Sequence, residues 1–441
     1  MADATTRKKG KYMGLLIKNA IIVNKNKVAD KPQDILCENG KITKIAASIE
    51  AAGHETIDAK GKKVLPGLID IHVHLRQPGG EGKETIETGS KAAVKGGFTT
   101  IMCMPNTNPV IDNPMTVEYI IREAQRVGLC NVLPIGALTK AQKDEELTDM
   151  AELKSAGCIA FSDDGKSVLN SRLFRLGMEY AKMLDVLIME HCQDPLLTAG
   201  GVMNESAVST RIGLKGDPGI AETVTVARDI EIANYLNAKV HLCHMSLKRS
   251  CELIRAAKAQ GIKVTAEACP HHFALSDDAC ASFDTSTKVN PPLRSKEDVQ
   301  AIKEAIADGT IDCIVTDHAP HTKEDKEVGF NGAPFGLIGL ETSLGLTIKE
   351  LVKTGIIDLP KMVDKMSSAP AEIVGLKSKG VVKEGFDADI VIIDENKTWT
   401  VKKEEFVSKS KNSPFVGWEL CGQVEHTICA GKIVYSLKKG S

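Results

Sequence analysis

Between residues 64 and 320, short apolar, β-branched runs alternate with longer segments of helical period, and the unit recurs eight times. The strands read as Val64–His74, Phe98–Met104, Val132–Leu138, Cys158–Asp164, Val186–His191, Lys239–His244, Lys263–Ala268 and Cys313–Asp317. Helical segments between them include Glu84–Lys95, Met115–Arg126, Ala221–Tyr235, Lys248–Ala259 and Lys296–Ala307, the first stopped by Gly96-Gly97. Eight such units predict a (β/α)8 barrel. The rival is an open doubly wound sheet, but no G-x-G-x-x-G follows the first strand. The two chain ends differ from this middle. Leu15–Val23, Asp34–Cys37 and Lys41–Ile45, with an Asn39-Gly40 turn, read as short strands, as do Ala388–Ile393, His426–Ala430 and Lys432–Tyr435. Neither end alone makes a stable sheet, so the expectation is one small β domain built from both. The boundaries drawn are 13–63 and 371–441 for its two parts, with the barrel at 64–370.

In a barrel of this kind the chemistry sits where the strands end. Strand one ends in Asp70-Ile71-His72-Val73-His74-Leu75-Arg76. Residues two apart on a strand share a face, so His72 and His74 project together, and neutral imidazoles are good zinc ligands. Arg76 shares that face if the strand continues, where it would hold an anionic substrate. The other ends carry Met104-Pro105-Asn106, Ser162-Asp163-Asp164-Gly165, Glu190-His191, Cys243-His244, Pro270-His271-His272 and Thr316-Asp317-His318-Ala319-Pro320-His321. Many of the 11 histidines therefore gather at one rim. Plainer roles exist for each. His191 and His244 could bond to backbone, Asp317 could cap a helix, and Asp163 and Asp164 could form a turn with Gly165. His241 reads as structural, His271 and His272 fall outside the ligand set, and His54 and His426 belong to the surface or the small domain.

Composition removes several classes of function. The formal net charge is −2 and aromatics are 4%, which gives neither a basic field nor a stacking platform for nucleic acid. No run approaches a membrane span, and the lysine-rich opening Met1 to Tyr12 lacks the apolar core of a signal peptide. The 12 cysteines include no Cys-x-x-Cys pair, and many lie in apolar strands. They read as buried small hydrophobes of a reducing compartment, hence a cytoplasmic protein.

Taken together, the motifs resemble the amidohydrolase superfamily and, within it, the dihydroorotases of the type I, bacterial-like class. Asp70 to Gly79 resembles the first family signature, and Thr316 to His321, with Lys326 beyond, the second. Met104-Pro105-Asn106-Thr107, Phe161 to Gly165, Lys288 to Arg294 and Pro334-Phe335-Gly336 match intermediate motifs in order. The resemblance runs from Leu15 to Tyr435. It implies that His72, His74 and Asp317 bind one zinc, that His191 and His244 bind a second, and that Asp164 bridges or approaches both. Occupancy of the second site stays open. It also implies that Arg76, Asn106 and His321 hold a substrate carboxylate, that Asn290 and the Phe335-Gly336 backbone contact a pyrimidine ring, and that His74 borders the substrate.

The implied reaction is the reversible closure of N-carbamoyl-L-aspartate to L-dihydroorotate in pyrimidine synthesis. Zinc would acidify a water and polarise the ring amide, and Asp317 would carry the proton to the departing nitrogen. Expected partners are the small-molecule substrate, a second copy in a homodimer and aspartate transcarbamoylase. Where relatives use a carboxylated lysine as bridge, this chain has an aspartate; Lys154 and Lys166 read as solvated. Residues 320–335 read either as a lid or as a plain exposed loop. The rivals are another cyclic amidase, a hydantoinase or allantoinase, and a non-catalytic homologue that scaffolds aspartate transcarbamoylase. Arg76 and Asn106 argue against the first, the complete ligand set against the second.

Overall fold

The computed structural model describes residues 14–437. Met13 and the lysine-rich opening lie outside the described residues. Eight parallel strands form the barrel in sequence order: Leu68–Val73, Phe98–Cys103, Asn131–Ala137, Ala160–Ser162, Leu187–Glu190, Val240–Leu242, Val264–Ala268 and Cys313–Ile314. The eighth returns to the first through a parallel bridge between Val73 and His318, where the His74 amide donates to the His318 carbonyl at 2.9 Å. The buried Asp70 carboxylate reinforces this seam, accepting from the amides of His72 at 3.0 Å and Thr316 at 3.1 Å. The expected barrel is therefore present, nearly closed.

The flanking helices begin and stop for local reasons. Ile86–Lys95 starts in a Thr85 capping box and gives way to Gly96 and Gly97, the latter at φ 91°. Pro114–Val127, Ile220–Leu236, Lys248–Ala259 and Lys296–Asp308 match the expected segments within two residues at either end. Met150–Ala156 and Ser171–Leu184 cover the third and fourth strands. No described helix is long and apolar enough to cross a membrane.

Both chain ends build one nine-stranded sheet. Its path runs Lys432–Ser436, Glu419–Cys429, Ile390–Thr400, Lys63–Pro66, Leu15–Asn24, Gln33–Glu38 and Lys41–Ala46, with two short strands added on Leu15–Asn24. Asn39 and Gly40 turn at φ 51° and 77°, the positive pair that a tight hairpin requires. The expected strand Val64–His74 is two strands. Lys63–Pro66 pairs with Ile390–Ile393 in the small sheet, and only after Gly67 does the chain enter the barrel. A Cβ at Gly67 would stand 2.1 Å from the Thr99 hydroxyl oxygen, so the switch between sheets needs glycine.

Segment 320–335 is fastened to its surroundings. Lys326 donates to the carbonyls of Thr285 (3.0 Å) and Pro334 (2.7 Å), and Lys288 to those of Phe330 (2.9 Å) and Asn331 (3.0 Å). Of the 12 cysteines, Cys421 is partly exposed and the rest are buried, all as free thiols.

Candidate active site

The site forms because its side chains stand at or just beyond the strand ends: His74 and His191 follow their strands by one residue, Asp164 and His244 by two, and Asp317 by three. Arg76, His244 and Asp317 then adopt left-handed backbone, at φ 61°, 39° and 46°. Such conformations cost non-glycine residues of order 1 kcal/mol or more and persist where the surroundings hold them. Strand geometry thus ends at Val73 rather than continuing to Arg76. The guanidinium still reaches the rim of the cavity, where its Nε donates to the Pro320 carbonyl at 3.2 Å.

Asp164 stands at the centre, buried. Its Oδ2 lies 3.4 Å from Nε2 of both His72 and His74, and its Oδ1 lies 3.3 Å from His191 Nδ1 and 3.3 Å from His244 Nε2. Asp317 completes the first pair, its Oδ1 at 3.0 Å from His74 Nε2 and 3.7 Å from His72 Nε2. Asp163 turns away and accepts from the amides of Leu138 (2.9 Å) and Thr139 (3.0 Å), which separates the two adjacent aspartates into a structural and a site residue. Lys154 and Lys166 bond to the carbonyls of Leu184 and Gln142, outside the cluster.

The donor set fits a divalent metal. His72, His74 and Asp317 form one group, and His72, Asp164 and His244 another, with ligand atoms inside 4.8 Å of one another. His191 adjoins the second, its Nδ1 2.9 Å from His244 Nε2. His72 Nε2 is buried with no hydrogen-bond partner. Its Nδ1 bonds Glu267 at 2.5 Å, and His74 Nδ1 bonds Asn106 Oδ1 at 2.9 Å. With Nδ1 held by an acceptor in both rings, Nε2 is the nitrogen turned toward the carboxylates and the one that would offer its lone pair to a metal. Burial resists charge here. Even so, the facing imidazoles hold Asp164 well below the usual carboxylate range and Asp317 down at about 2.

A cavity of about 280 Å3 opens above the cluster. His74, Arg76, Asn106, Asp164, His191, His244, Asn290, Asp317, His321, Phe335 and Gly336 all line it, so every expected site residue except His72 meets the same space. Burial pushes Arg76 down to about 10 against the pull of Asp317 and Asp164. No described carboxylate pairs with it directly. His321 donates from Nε2 to the Phe335 carbonyl at 2.8 Å and faces Lys83 Nζ at 3.4 Å through Nδ1. Burial, with Arg76, Lys326 and Lys83 around it, drives its pKa to about 2, so it stays neutral.

The comparisons agree with this geometry. A dihydro-orotase-like family matches residues 61–250, and an amidohydrolase family matches 253–435. The dihydroorotase of Geobacter metallireducens is 50% identical over 424 residues, 96% of this chain and 100% of that protein. The chain belongs to the dihydroorotase family. The dihydroorotase of Pelotomaculum thermopropionicum is also 50% identical, over 96% of this chain and 98% of its own length. Among solved structures, the L-hydantoinase (dihydropyrimidinase) of Arthrobacter aurescens superposes with a TM-score of 0.86 at 25% identity, covering 97% of this chain and 98% of its own. A D-hydantoinase (dihydropyrimidinase) of a Thermus species gives 0.80 at 26% identity, over 96% and 97%.

Several residues that hold this dihydroorotase-family site were not singled out by motif. Glu267, on strand seven, bonds His72, His241 Nε2 at 2.9 Å and the His244 amide at 3.2 Å. The readable signal was a lone carboxylate inside the apolar run Val264–Ala268. Gln193 exchanges amide bonds with Asn290 at 2.7 and 2.8 Å and donates to Asp217 at 2.9 Å, but its position offers no sequence signal. His318 turns outward to Glu84 at 3.2 Å, and His271 and His272 are buried beside one another outside the cavity lining.

Proposed function

We propose that the protein is a zinc-dependent dihydroorotase, which interconverts N-carbamoyl-L-aspartate and L-dihydroorotate for pyrimidine synthesis. The observation that carries the reading is the two-sided carboxylate of Asp164. One oxygen faces the His72–His74 pair and the other the His191–His244 pair, in a cavity that also presents Arg76. Four imidazoles and two carboxylates are a donor set that suits zinc. His72, His74 and Asp317 would hold one ion and His191 and His244 a second, with Asp164 between. Bound zinc supplies an acidified water and a Lewis acid for the ring carbonyl.

The chain's own groups do the rest. Arg76, without a carboxylate partner of its own, takes the substrate carboxylate, beside Asn106 and His321. A planar guanidinium suits that group through paired hydrogen bonds. Asn290 and the Phe335-Gly336 backbone face the ring. Asp317, held ionised, accepts a proton during ring opening and returns it to the departing ring nitrogen. Ring closure runs these transfers backward. A hydantoinase reading draws on the two solved structures, whose identity is half that of the dihydroorotases. The partly buried cation favours a substrate with a ring carboxylate.

Turnover and metal content test the proposal together. Purified protein should carry zinc by elemental analysis and interconvert the two acids. Carbamoyl aspartate carries one more carboxylate than dihydroorotate, so closure consumes one proton. The equilibrium should move about tenfold toward the ring per pH unit lowered. A ratio constant between pH 6 and 8, or turnover of hydantoin in place of dihydroorotate, would overturn the reading.

A further inference from the structure

A residue far from the barrel motifs ties both sides of the cavity rim together. The segment that leads to the last two strands runs along the loops at the barrel mouth, and Asn412 within it is buried. Its side-chain oxygen accepts from the His321 amide at 3.1 Å. Its side-chain nitrogen faces the Ala319 carbonyl at 3.3 Å and the Gly336 carbonyl at 3.1 Å. Its own carbonyl accepts from Ile338 at 2.9 Å. One amide group thus uses its acceptor and both donors on two loops.

Those loops carry the substrate side of the site. Ala319 and His321 flank Pro320, whose carbonyl receives the Arg76 guanidinium at 3.2 Å. Gly336 lines the cavity on the other side, at φ 125°, where a Cβ would stand 2.7 Å from Ala319 Cβ. The two loops therefore touch with no side chain between them, and the Asn412 amide spans their seam. Asn412 itself is absent from the cavity lining.

We propose that Asn412 is a positioning residue for substrate carboxylate binding, acting through the Ala319–His321 backbone on Arg76 and through Gly336 on the facing rim. This rests on the dihydroorotase reading. The metal cluster does not touch Asn412, so metal content and the chemical step are expected to survive its loss. Substrate binding is not, because a small misplacement of an orienting group is costly.

The experiment compares N412A, N412D and a structural control, F415L, with the wild type, using dihydroorotate as substrate. Phe415 packs edge-on to Trp418 at 5.2 Å in the same segment and shares an apolar cluster with Leu337 and Ile338, but makes no hydrogen bond to either loop. N412A should raise KM about tenfold or more, with kcat within about threefold and zinc content unchanged. N412D keeps the acceptor for His321 but turns a carboxylate toward two carbonyl oxygens, so it should not rescue KM. F415L should lower the melting temperature and leave KM near wild type. A wild-type KM in N412A, or a KM that follows melting temperature equally in N412A and F415L, overturns the proposal. Should N412A fail to fold, N412S, which retains one hydroxyl for the three bonds, carries the same comparison. A wild type that does not turn over dihydroorotate would instead refute the function itself.

Discussion

Glu267 shows how much a metal-competent cluster depends on what stands beneath it. The carboxylate binds two imidazoles and one backbone amide, and His72 and His241 hold its pKa down at about 2 despite burial. Glu267→Gln removes the charge that fixes the His72 tautomer. Zinc affinity should fall by about 10–100-fold while the circular dichroism spectrum stays native, as measured by competition with a chelator. Arg76→Met tests the opposite side of the cavity. Losing a charge-assisted contact of about 2 kcal/mol should raise KM for dihydroorotate by about thirtyfold with zinc retained; an unchanged KM would remove the guanidinium from the site. His321 offers a test by pH. Its depressed pKa means that folding favours the neutral ring. That contribution is complete above the unfolded value of about 6.5 and is lost as pH falls from there toward 2. Its 15N shifts should therefore report a neutral ring protonated at Nε2 from pH 8 down to 5. At this scale His72, His74, His191, His244 and Asp317 were legible because histidines and carboxylates at strand ends are scarce and informative. Glu267 and Asn412 were not. A glutamate in a strand and an asparagine in a loop acquire meaning only from distant partners.

Among the elements, the segment after strand eight carries the clearest contrast between sequence and structure. Its polar composition suggested a lid or a free loop. Lys326 within it and Lys288 beside it instead bond four backbone carbonyls, and Lys288 also lies over the Phe335 ring at 4.7 Å. Burial, with Lys288 nearby, pushes Lys326 down to about 7, and a neutral amine still has donors for both of its carbonyls. Lys326→Met leaves the Pro334 carbonyl unpaired, at about 1–3 kcal/mol, and Thr285 with the Lys288 amide alone. Amide hydrogen exchange across 328–337 should speed up, with the barrel strands unaffected; unchanged protection would mean the lysine fastens nothing. Apolar runs exposed the barrel strands, which are buried on both faces, and helical period exposed five helices, each with one buried face. Strand ends were less legible, since pairing stops before the functional residue while the apolar pattern runs on. The division of Val64–His74 was hidden for a related reason: both pieces are buried, and only the partner changes at Gly67.

Over the whole molecule, one face of the small sheet and the barrel helices share a core, while the sheet's other face has a core of its own. Val23, Leu65, Val391, Ile393 and Val424 of the small sheet pack with Leu68, Phe98 and Ile101 of the barrel. The two parts should melt as a single calorimetric transition, and two resolved transitions would show separate folding units. The barrel with a two-ended sheet could be read from the alternation and from the strand-like ends, but this shared core could not, because which ridge faces which sheet is a tertiary property. The pairing of Val64 with Ile392 has a further meaning for the chain as it is made. Lys63–Pro66 leaves the ribosome early, and its partner strand follows only after the entire barrel. At ordinary synthesis rates that interval is on the order of tens of seconds. During it an apolar strand edge has no neighbour in its own chain, which is the condition under which nascent polypeptides pair with one another. The last strands to be translated therefore act as a closing seal, and a ribosome that stalls before Ile390 releases a barrel beside which Lys63–Pro66 still has one edge unprotected.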